Sequence, residues 1–246
     1  MRMQDLMEIG LDYAPTTILN QHSNKTHRWL AGDNEQRYKE NLQKSEIAGH
    51  IETFNVSYKL NSNGFRTKEI VEDTSSVVAL GCSHTFGLGL PEQDTYIAQL
   101  GKRLGINYYN LGVPGGSNDT AFRVASYWLP IIKPKYVVML TPHMARFEML
   151  EKKGGHRSFV PNENITGVHR DIIRFFITND ENLVLNRHKN LLGIENIVEH
   201  YNGKFYSYPE DIMTKQEETD LARDWQHTGP KQNLVVAQLM YEDIKW

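Results

Sequence analysis

Three short apolar runs, each followed by a loop and then a segment of helical spacing, constrain the fold of this chain most strongly. The runs are "SSVVALG" at 75–81, "INYYNLG" at 106–112 and "KYVVMLT" at 135–141. Short continuous apolar runs are typical of strands that are buried on both faces of a parallel sheet. Apolar residues recur at helical spacing between them, at 93–105 and 119–133. The alternation predicts right-handed βαβ crossovers and therefore an α/β fold.

The remaining segments predict additions around this core. Residues 1–50 are polar with short amphipathic pieces, which predicts an N-terminal extension packing on a main domain of 51–246. Glycines, prolines and asparagines interrupt the pattern at 151–180, and we expect an insertion or lid there. A helix and a late strand are expected over 181–209. The final helix is expected to begin at Pro230, because proline is favourable in the first turn.

Composition excludes several classes of function. The formal net charge is −3, and the basic residues are scattered rather than clustered as phosphate binding requires. No segment approaches the roughly 20 apolar residues of a membrane helix, and the first residues lack a secretory pattern. The single cysteine cannot form an internal disulfide, and the histidines lack metal-ligand spacing. We therefore expect a cytoplasmic protein with a small-molecule substrate, no nucleic acid or membrane partner, and no metal.

Four loops should meet at one edge of the predicted sheet, because ligands bind at the carboxyl ends of parallel strands. They contain "GCSHT" (81–85), "NLGVPGGSND" (110–119), "TPHMARFE" (141–148) and "DWQHTG" (224–229). A serine becomes nucleophilic only when a base takes its proton and a third group orients that base. Asp224 and His227 form the only D-x-x-H of the sequence and can supply such a pair, while Ser83 follows the first predicted strand.

Each of these residues also has a plainer interpretation. Ser83 can cap the helix that follows it, as serines often do. Cys82 requires a depressed pKa to act as a nucleophile, and its place after a buried strand favours a core thiol. His84 is expected either to point away from Ser83 or to line the cleft. Arg146 is expected to form a structural ion pair with Glu148. Asp224 and His227, taken as a pair without Ser83, would indicate only a surface loop.

Taken together, "GCSHT", "NLGVPGG" and "DWQH" resemble the sequence blocks of the SGNH (GDSL-type) hydrolase superfamily. The resemblance covers roughly residues 75–145 and 220–240. It implies a flavodoxin-like three-layer α/β/α sandwich with a small parallel sheet. The upstream "NSNGFRTKE" at 61–69 is similar to a segment that precedes the first block in some members. The alternation on either side of "NSNG" separately predicts a hairpin, since Gly64 can take positive φ.

The resemblance also implies roles for individual residues. Ser83 would be the nucleophile, His227 its base and Asp224 the group that orients His227. The backbone N–H groups of Gly115 and Ser83 would be oxyanion donors.

Two departures from the family pattern stand out. Cys82 replaces the usual aspartate, and "LTPHMARFE" stands where a G-x-N-D block is expected. His143 aligns with the missing asparagine, so its imidazole is the first candidate for the third oxyanion donor. Arg146 is the second candidate, and Asn118 is a further candidate hydrogen-bond donor at the site.

The expected activity is that of a serine esterase without a cofactor. It would cleave an acyl or acetyl ester of a small molecule or glycan through a Ser-His-Asp triad and an acyl-enzyme. Two alternatives stay open on the sequence. An acyltransferase would use the same triad with a hydroxyl in place of water. A catalytically silent binding or structural protein could keep the fold, and the missing G-x-N-D block is the feature that favours it.

Overall fold

The computed structural model describes residues 20–43, 55–151, 155–160, 168–213 and 220–246. These residues form eight strands and seven α-helices. The strands are β1 (Thr26–His27), β2 (Tyr58–Lys59), β3 (Val77–Leu80), β4 (Tyr108–Asn110), β5 (Tyr136–Thr141), β6 (Phe147–Glu151), β7 (Gly155–Phe159) and β8 (Lys204–Pro209). The helices are α1 (Glu35–Leu42), α2 (Ser83–Phe86), α3 (Tyr96–Leu104), α4 (Asn118–Ile132), α5 (Val168–Ile177), α6 (Asp180–His200) and α7 (Pro230–Lys245).

A four-stranded parallel sheet forms the centre of the fold, with strand order β4-β3-β5-β8. Val77 of β3 is level with Tyr108 on one side and with Tyr136 on the other. The three apolar runs are thus β4, β3 and β5, and the expected late strand is β8. The chain passes from β3 to β4 on one side and then crosses back to β5 on the other side of β3, so the order of the strands reverses there. In such sheets, ligands bind outside the carboxyl ends of the strands at this switch point.

Helices cover both faces of the sheet. Val78 and Leu80 of β3 lie in one buried core together with α4 and α6. Val77 and Ala79 lie in a second core together with α3 and α7. The faces differ because successive side chains of a strand point in opposite directions. The α/β fold and its three-layer α/β/α sandwich, which the sequence predicts, are therefore confirmed.

The predicted hairpin around Gly64 is wrong, although its turn is present. Gly64 has φ +79°, and its N–H donates to the Asn61 carbonyl at 3.1 Å. β2 pairs with β1 in antiparallel orientation instead of with the residues that follow the turn. The Asn61 side chain accepts from the N–H of Phe65 at 3.0 Å, which replaces a ladder bond. Residues 65–76 run to β3 without forming a strand.

The predicted extension and insertion fall partly outside the described residues. Of the N-terminal 50 residues, only 20–43 are described, and they contain β1 and α1. Of the predicted insertion at 151–180, residues 152–154 and 161–167 are not described. The rest contains the end of the β6–β7 hairpin and α5, so the lid stays a prediction. In the described ranges, no helix is both long enough and apolar enough to cross a membrane.

Candidate active site

Ser83 lies at the end of β3, where Gly81 allows the chain to turn sharply. Gly81 has φ +149°, and a Cβ there would lie 2.2 Å from Thr85 Oγ1 and 2.8 Å from the Leu140 carbonyl oxygen. Only glycine fits this junction between strand and helix. Cys82 occupies the N-cap position of α2, and Ser83 is its first helical residue. The interpretation of Ser83 as the helix cap is therefore wrong.

Ser83, His227 and Asp224 form one continuous chain of hydrogen bonds. His227 Nε2 lies 2.6 Å from Ser83 Oγ, and His227 Nδ1 lies 2.5 Å from Asp224 Oδ2. The ionised carboxylate can only accept, so it favours the tautomer with the proton on Nδ1. Nε2 then has a lone pair directed at the Ser83 hydroxyl. This is the arrangement in which an imidazole can take the serine proton.

The loop that carries Asp224 and His227 is closed by its own backbone. The Ala222 N–H donates to the His227 carbonyl at 2.8 Å, and Trp225 N–H donates to the Ala222 carbonyl at 3.0 Å. Asp224 Oδ1 accepts from the His227 N–H at 3.2 Å, so the carboxylate also fixes the backbone between the two residues. Trp225 has φ +60°, a left-handed conformation that non-glycine residues rarely adopt. The D-x-x-H spacing is thus locked in one geometry.

The glycine-rich loop after β4 provides backbone donors. Gly115 has φ +73° and is uncrowded, since no atom lies within 4 Å of a Cβ built there. In the described part of the chain, neither the Gly115 N–H nor the Ser83 N–H has a hydrogen-bond acceptor. Asn118 begins α4 and is buried; its side chain donates to the Pro142 carbonyl at 3.2 Å. This bond ties the glycine-rich loop to the loop after β5.

The loop after β5 places His143 and Arg146 at the same edge of the sheet. His143 is exposed, and its Nδ1 accepts from the Ala145 N–H at 3.2 Å. A neutral imidazole that accepts at Nδ1 has its proton at Nε2, which is then a donor. Arg146 Nη1 lies 3.9 Å from Glu210 Oε1 and is buried without a hydrogen-bond partner. The expected ion pair between Arg146 and Glu148 is wrong. Glu148 pairs instead with Arg123 of α4, at 2.6 Å.

Three of the predicted site residues are connected by hydrogen bonds in the described structure. His227 is joined to Ser83 through Nε2 and to Asp224 through Nδ1. Among the described residues, no hydrogen bond joins Gly115, Asn118, His143 or Arg146 to Ser83.

Glu210 and His84 also belong to this site, although the sequence gives little reason to choose Glu210. Glu210 Oε1 accepts from the Cys82 thiol at 3.0 Å. Its signal is its place directly after β8, at the carboxyl end of a parallel strand. The His84 ring packs edge-on against the His227 ring, with centroids 4.7 Å apart.

Burial shifts the pKa values of His84 and Cys82, the two residues next to Ser83, in opposite directions. Burial, followed by the nearby His227 charge, lowers the pKa of His84 to about 4. His84 is therefore neutral at physiological pH and adds no positive charge beside His227. Burial, followed by the charge of Glu210, raises the pKa of Cys82 to about 11. The Cys82 thiol stays protonated, in agreement with the core-thiol interpretation and against a role as nucleophile.

Comparisons with known proteins give structural neighbours only. No family model matches the chain, and no curated protein matches it by sequence. The crystal structure of TesA aligns with 70% of this chain and 98% of its own, at 14% identity and a TM-score of 0.46. A family 3 carbohydrate esterase from Clostridium thermocellum aligns with 70% and 97%, at 18% identity and a TM-score of 0.38. The esterase EstA from Pseudoalteromonas sp. aligns with 70% and 97%, at 15% identity and a TM-score of 0.36.

Proposed function

We propose that this protein is a serine esterase of the SGNH type, with Ser83 as nucleophile, His227 as base and Asp224 as its orienting acid. The observation that carries the proposal is the unbroken contact from Ser83 Oγ through both His227 nitrogens to Asp224. Ser83 and His227 are 144 positions apart in sequence, yet Ser83 Oγ lies 2.6 Å from His227 Nε2. A structural serine needs no such oriented base.

The reaction follows from this geometry. Ser83 Oγ attacks the ester carbonyl carbon while its proton passes to His227 Nε2. The carbonyl oxygen becomes an oxyanion, for which the free N–H groups of Ser83 and Gly115 are the proposed donors. Collapse of this intermediate breaks the bond to the alcohol oxygen, which takes the proton from His227. Water then repeats the sequence on the acyl-enzyme, which yields a carboxylic acid and restores the Ser83 hydroxyl.

The loop after β5 supports a third oxyanion donor. His143 stands where the SGNH pattern has asparagine, and the Ala145 N–H bond favours the tautomer with a proton on Nε2. This tautomer can do what an asparagine amide does, namely donate one hydrogen bond to the oxyanion.

Arg146 and Glu210 are better suited to the substrate's alcohol group. They offer a cationic donor and an anionic acceptor close to Cys82, which precedes Ser83. A hydroxyl-rich alcohol such as a sugar could bind both, because each hydroxyl donates and accepts.

Labelling with a fluorophosphonate tests the proposal, because this probe reacts covalently only with an activated serine. We expect the wild type to be labelled and to hydrolyse p-nitrophenyl acetate, whereas Ser83→Ala and His227→Ala do neither. Ser62→Ala is the matched control, since Ser62 is an exposed serine that binds only surface groups. A folded wild type that is neither labelled nor active would contradict the proposal and favour a silent binding protein.

The acyltransferase alternative is distinguished with an alcohol acceptor. We expect glycerol or a free sugar to leave the rate of acid production unchanged in an esterase. If the acyl group appears on the added acceptor in preference to water, the same triad performs transfer.

A further inference from the structure

A buried ion pair connects the N-terminal segment to the loop that carries Asp224 and His227. Arg223 Nε donates to both carboxylate oxygens of Asp33 at 3.1 Å, and Arg223 Nη2 donates to Asp33 Oδ2 at 2.5 Å. The side chains are 3% and 0% exposed, so solvent does not screen the pair. Arg223 Nη2 also binds the Arg28 carbonyl at 2.6 Å, and the Trp29 ring lies 3.8 Å from the guanidinium carbon. The segment 20–43 thus encloses the arginine that immediately precedes Asp224.

Tyr58 and Gly89 complete a closed circuit of hydrogen bonds with Asp33 and Arg223. The Tyr58 hydroxyl donates to Asp33 Oδ2 at 2.5 Å and accepts from the Gly89 N–H at 2.8 Å. The Gly89 carbonyl in turn accepts from the Arg223 N–H at 3.0 Å. A Cβ on Gly89 would lie 3.0 Å from Asp224 Oδ1, so the triad carboxylate packs directly on this glycine. This circuit therefore fixes the backbone at Arg223 and supports one side of the Asp224 carboxylate.

The aromatic ring of Tyr58 is also linked to the Ser83 side of the site. The Arg66 guanidinium lies over the Tyr58 ring at 4.7 Å. Arg66 donates to the Gly87 carbonyl at 2.7 Å and to the Leu90 carbonyl at 2.7 Å. Gly87 ends α2, the short helix that begins with Ser83. The polar network thus reaches both the nucleophile's helix and the base's loop.

We propose that Asp33 and Arg223 are positioning residues that set the distance between His227 and Ser83. The proposal rests on the proposed function, but it assigns to the segment 20–43 a task that the triad alone does not require. A buried ion pair is poor evidence for stability as such, because desolvation offsets the attraction. Its value is geometric, since two-pronged binding fixes both distance and angle. Any shift of Arg223 is passed through one peptide bond to Asp224.

Two variants test this assignment. Asp33→Asn keeps the size of the side chain but removes its charge, and Tyr58→Phe removes only the hydroxyl that joins Asp33 to Gly89. We expect kcat for p-nitrophenyl acetate to fall by about 10²-fold in Asp33→Asn, as misplacement by ~1 Å can cause. A smaller loss is expected in Tyr58→Phe. KM should stay within about twofold in both, because neither residue belongs to the proposed substrate contacts.

Proton NMR provides a readout that overall stability does not move. A proton shared between His227 Nδ1 and Asp224 gives a strongly downfield resonance, which is identified by its loss in His227→Ala. We expect this resonance to weaken or shift in Asp33→Asn and Tyr58→Phe. Glu148→Gln is the charge-matched control for the resonance, since the buried ion pair of Glu148 with Arg123 joins β6 to α4 and not the N-terminal segment to the loop of Asp224. Val124→Ala is the stability-matched control, because it creates a cavity in the core beneath α4.

The outcomes separate this proposal from the proposed function. An unchanged resonance and an unchanged kcat in folded Asp33→Asn and Tyr58→Phe would overturn the positioning role. Equal losses of kcat in Val124→Ala at the same melting temperature would also overturn it. If Asp33→Asn does not fold, Tyr58→Phe decides alone. If the wild type has the resonance but no esterase activity, the proposed function fails while the NMR comparison still decides the positioning role.

Discussion

The two sides of the candidate active site differ in how the groups assigned to the chemistry are bonded. Buried side-chain atoms without a partner occur on both sides of the described structure, and in the loop of Asp224 and His227 they are Trp225 Nε1 and Thr228 Oγ1. On the base side, Asp224 accepts three hydrogen bonds from its own loop, and Arg223 beside it is bound by Asp33. On the proposed oxyanion side, Asn118 Oδ1 and Arg146 Nη1 are buried and lack a hydrogen-bond partner in the described structure. The free N–H groups of Ser83 and Gly115 lie on this second side.

The difference indicates which part of the site is complete without substrate. A buried polar group without a partner costs free energy, and proteins accept this cost mainly at functional positions. Transition-state stabilisation requires donors that are fixed in place before the charge develops. The Asp224 carboxylate and the His227 ring are held in place by the protein, whereas the proposed oxyanion side has unused hydrogen-bonding capacity that the proposed ester substrate would fill.

The largest effect is expected from the base side, with Asp224→Asn. The amide can hold His227 in the wrong tautomer, and in serine proteases this change lowers kcat by about 10⁴-fold. Steady-state hydrolysis of p-nitrophenyl acetate measures the loss. Asp220→Asn is the control, since Asp220 accepts from the N–H groups of Lys231 and Gln232 at the start of α7 through its two oxygens, so the change removes a nearby charge and one of these bonds without altering the partner of His227. Comparable losses in both variants would show that loop stability, not the tautomer, is being measured.

The next largest effect is expected at His143. Loss of one oxyanion donor costs about 10²- to 10³-fold in kcat in other hydrolases, so His143→Ala should lower kcat to this extent with little change in KM. His143→Asn should recover much of the rate, because the amide can donate as the imidazole does. Equal rates for the wild type and His143→Ala would assign the donor role elsewhere, with Arg146 as the next candidate.

A smaller and substrate-dependent effect is expected from Glu210→Gln and Arg146→Met. A hydrogen bond to a charged group contributes enough to change KM by about tenfold. We expect this increase for an acetylated sugar and no increase for p-nitrophenyl acetate, whose alcohol has no hydroxyl groups to bind. Cys82→Ala controls for the loss of the thiol bond to Glu210. Equal KM increases for both esters would contradict an alcohol subsite.

The last expected effect is on stability and not on rate, and it concerns the pH dependence that His84 causes. Its pKa falls from the ordinary 6.5 to about 4 in the folded protein. Above pH 6.5 both states are neutral and nothing is lost, whereas between 6.5 and 4 the unfolded state binds the proton first. The free energy of unfolding should therefore decrease as the pH falls through this window. Thermal unfolding across it should show a shallower decrease for His84→Asn, and identical slopes would contradict the assignment.

The central fold was predictable because its signals are local. The strands β3, β4 and β5 are each a short apolar run, and α7 begins at Pro230 as expected. These patterns follow from burial on both sheet faces and from backbone sterics, which act within a few residues. The prediction of a hairpin around Gly64 failed because the pairing stops at the turn. The Asn61 N–H donates to the Phe65 carbonyl at 2.9 Å, but the Phe65 N–H donates to the Asn61 side chain instead of its carbonyl.

In the candidate site, too, the local contacts were predictable and the long-range contacts were not. The D-x-x-H loop was predictable from the sequence, since three residues of spacing suffice for Asp224 to reach both the backbone and the ring of His227. The position of Ser83 shortly after a buried strand was predictable in the same way. The pairing of Asp33 with Arg223 joins residues 190 positions apart, and that of Cys82 with Glu210 joins residues 128 apart. These contacts depend on the tertiary fold, because packing between distant elements brings such polar partners together and leaves no local pattern in the chain.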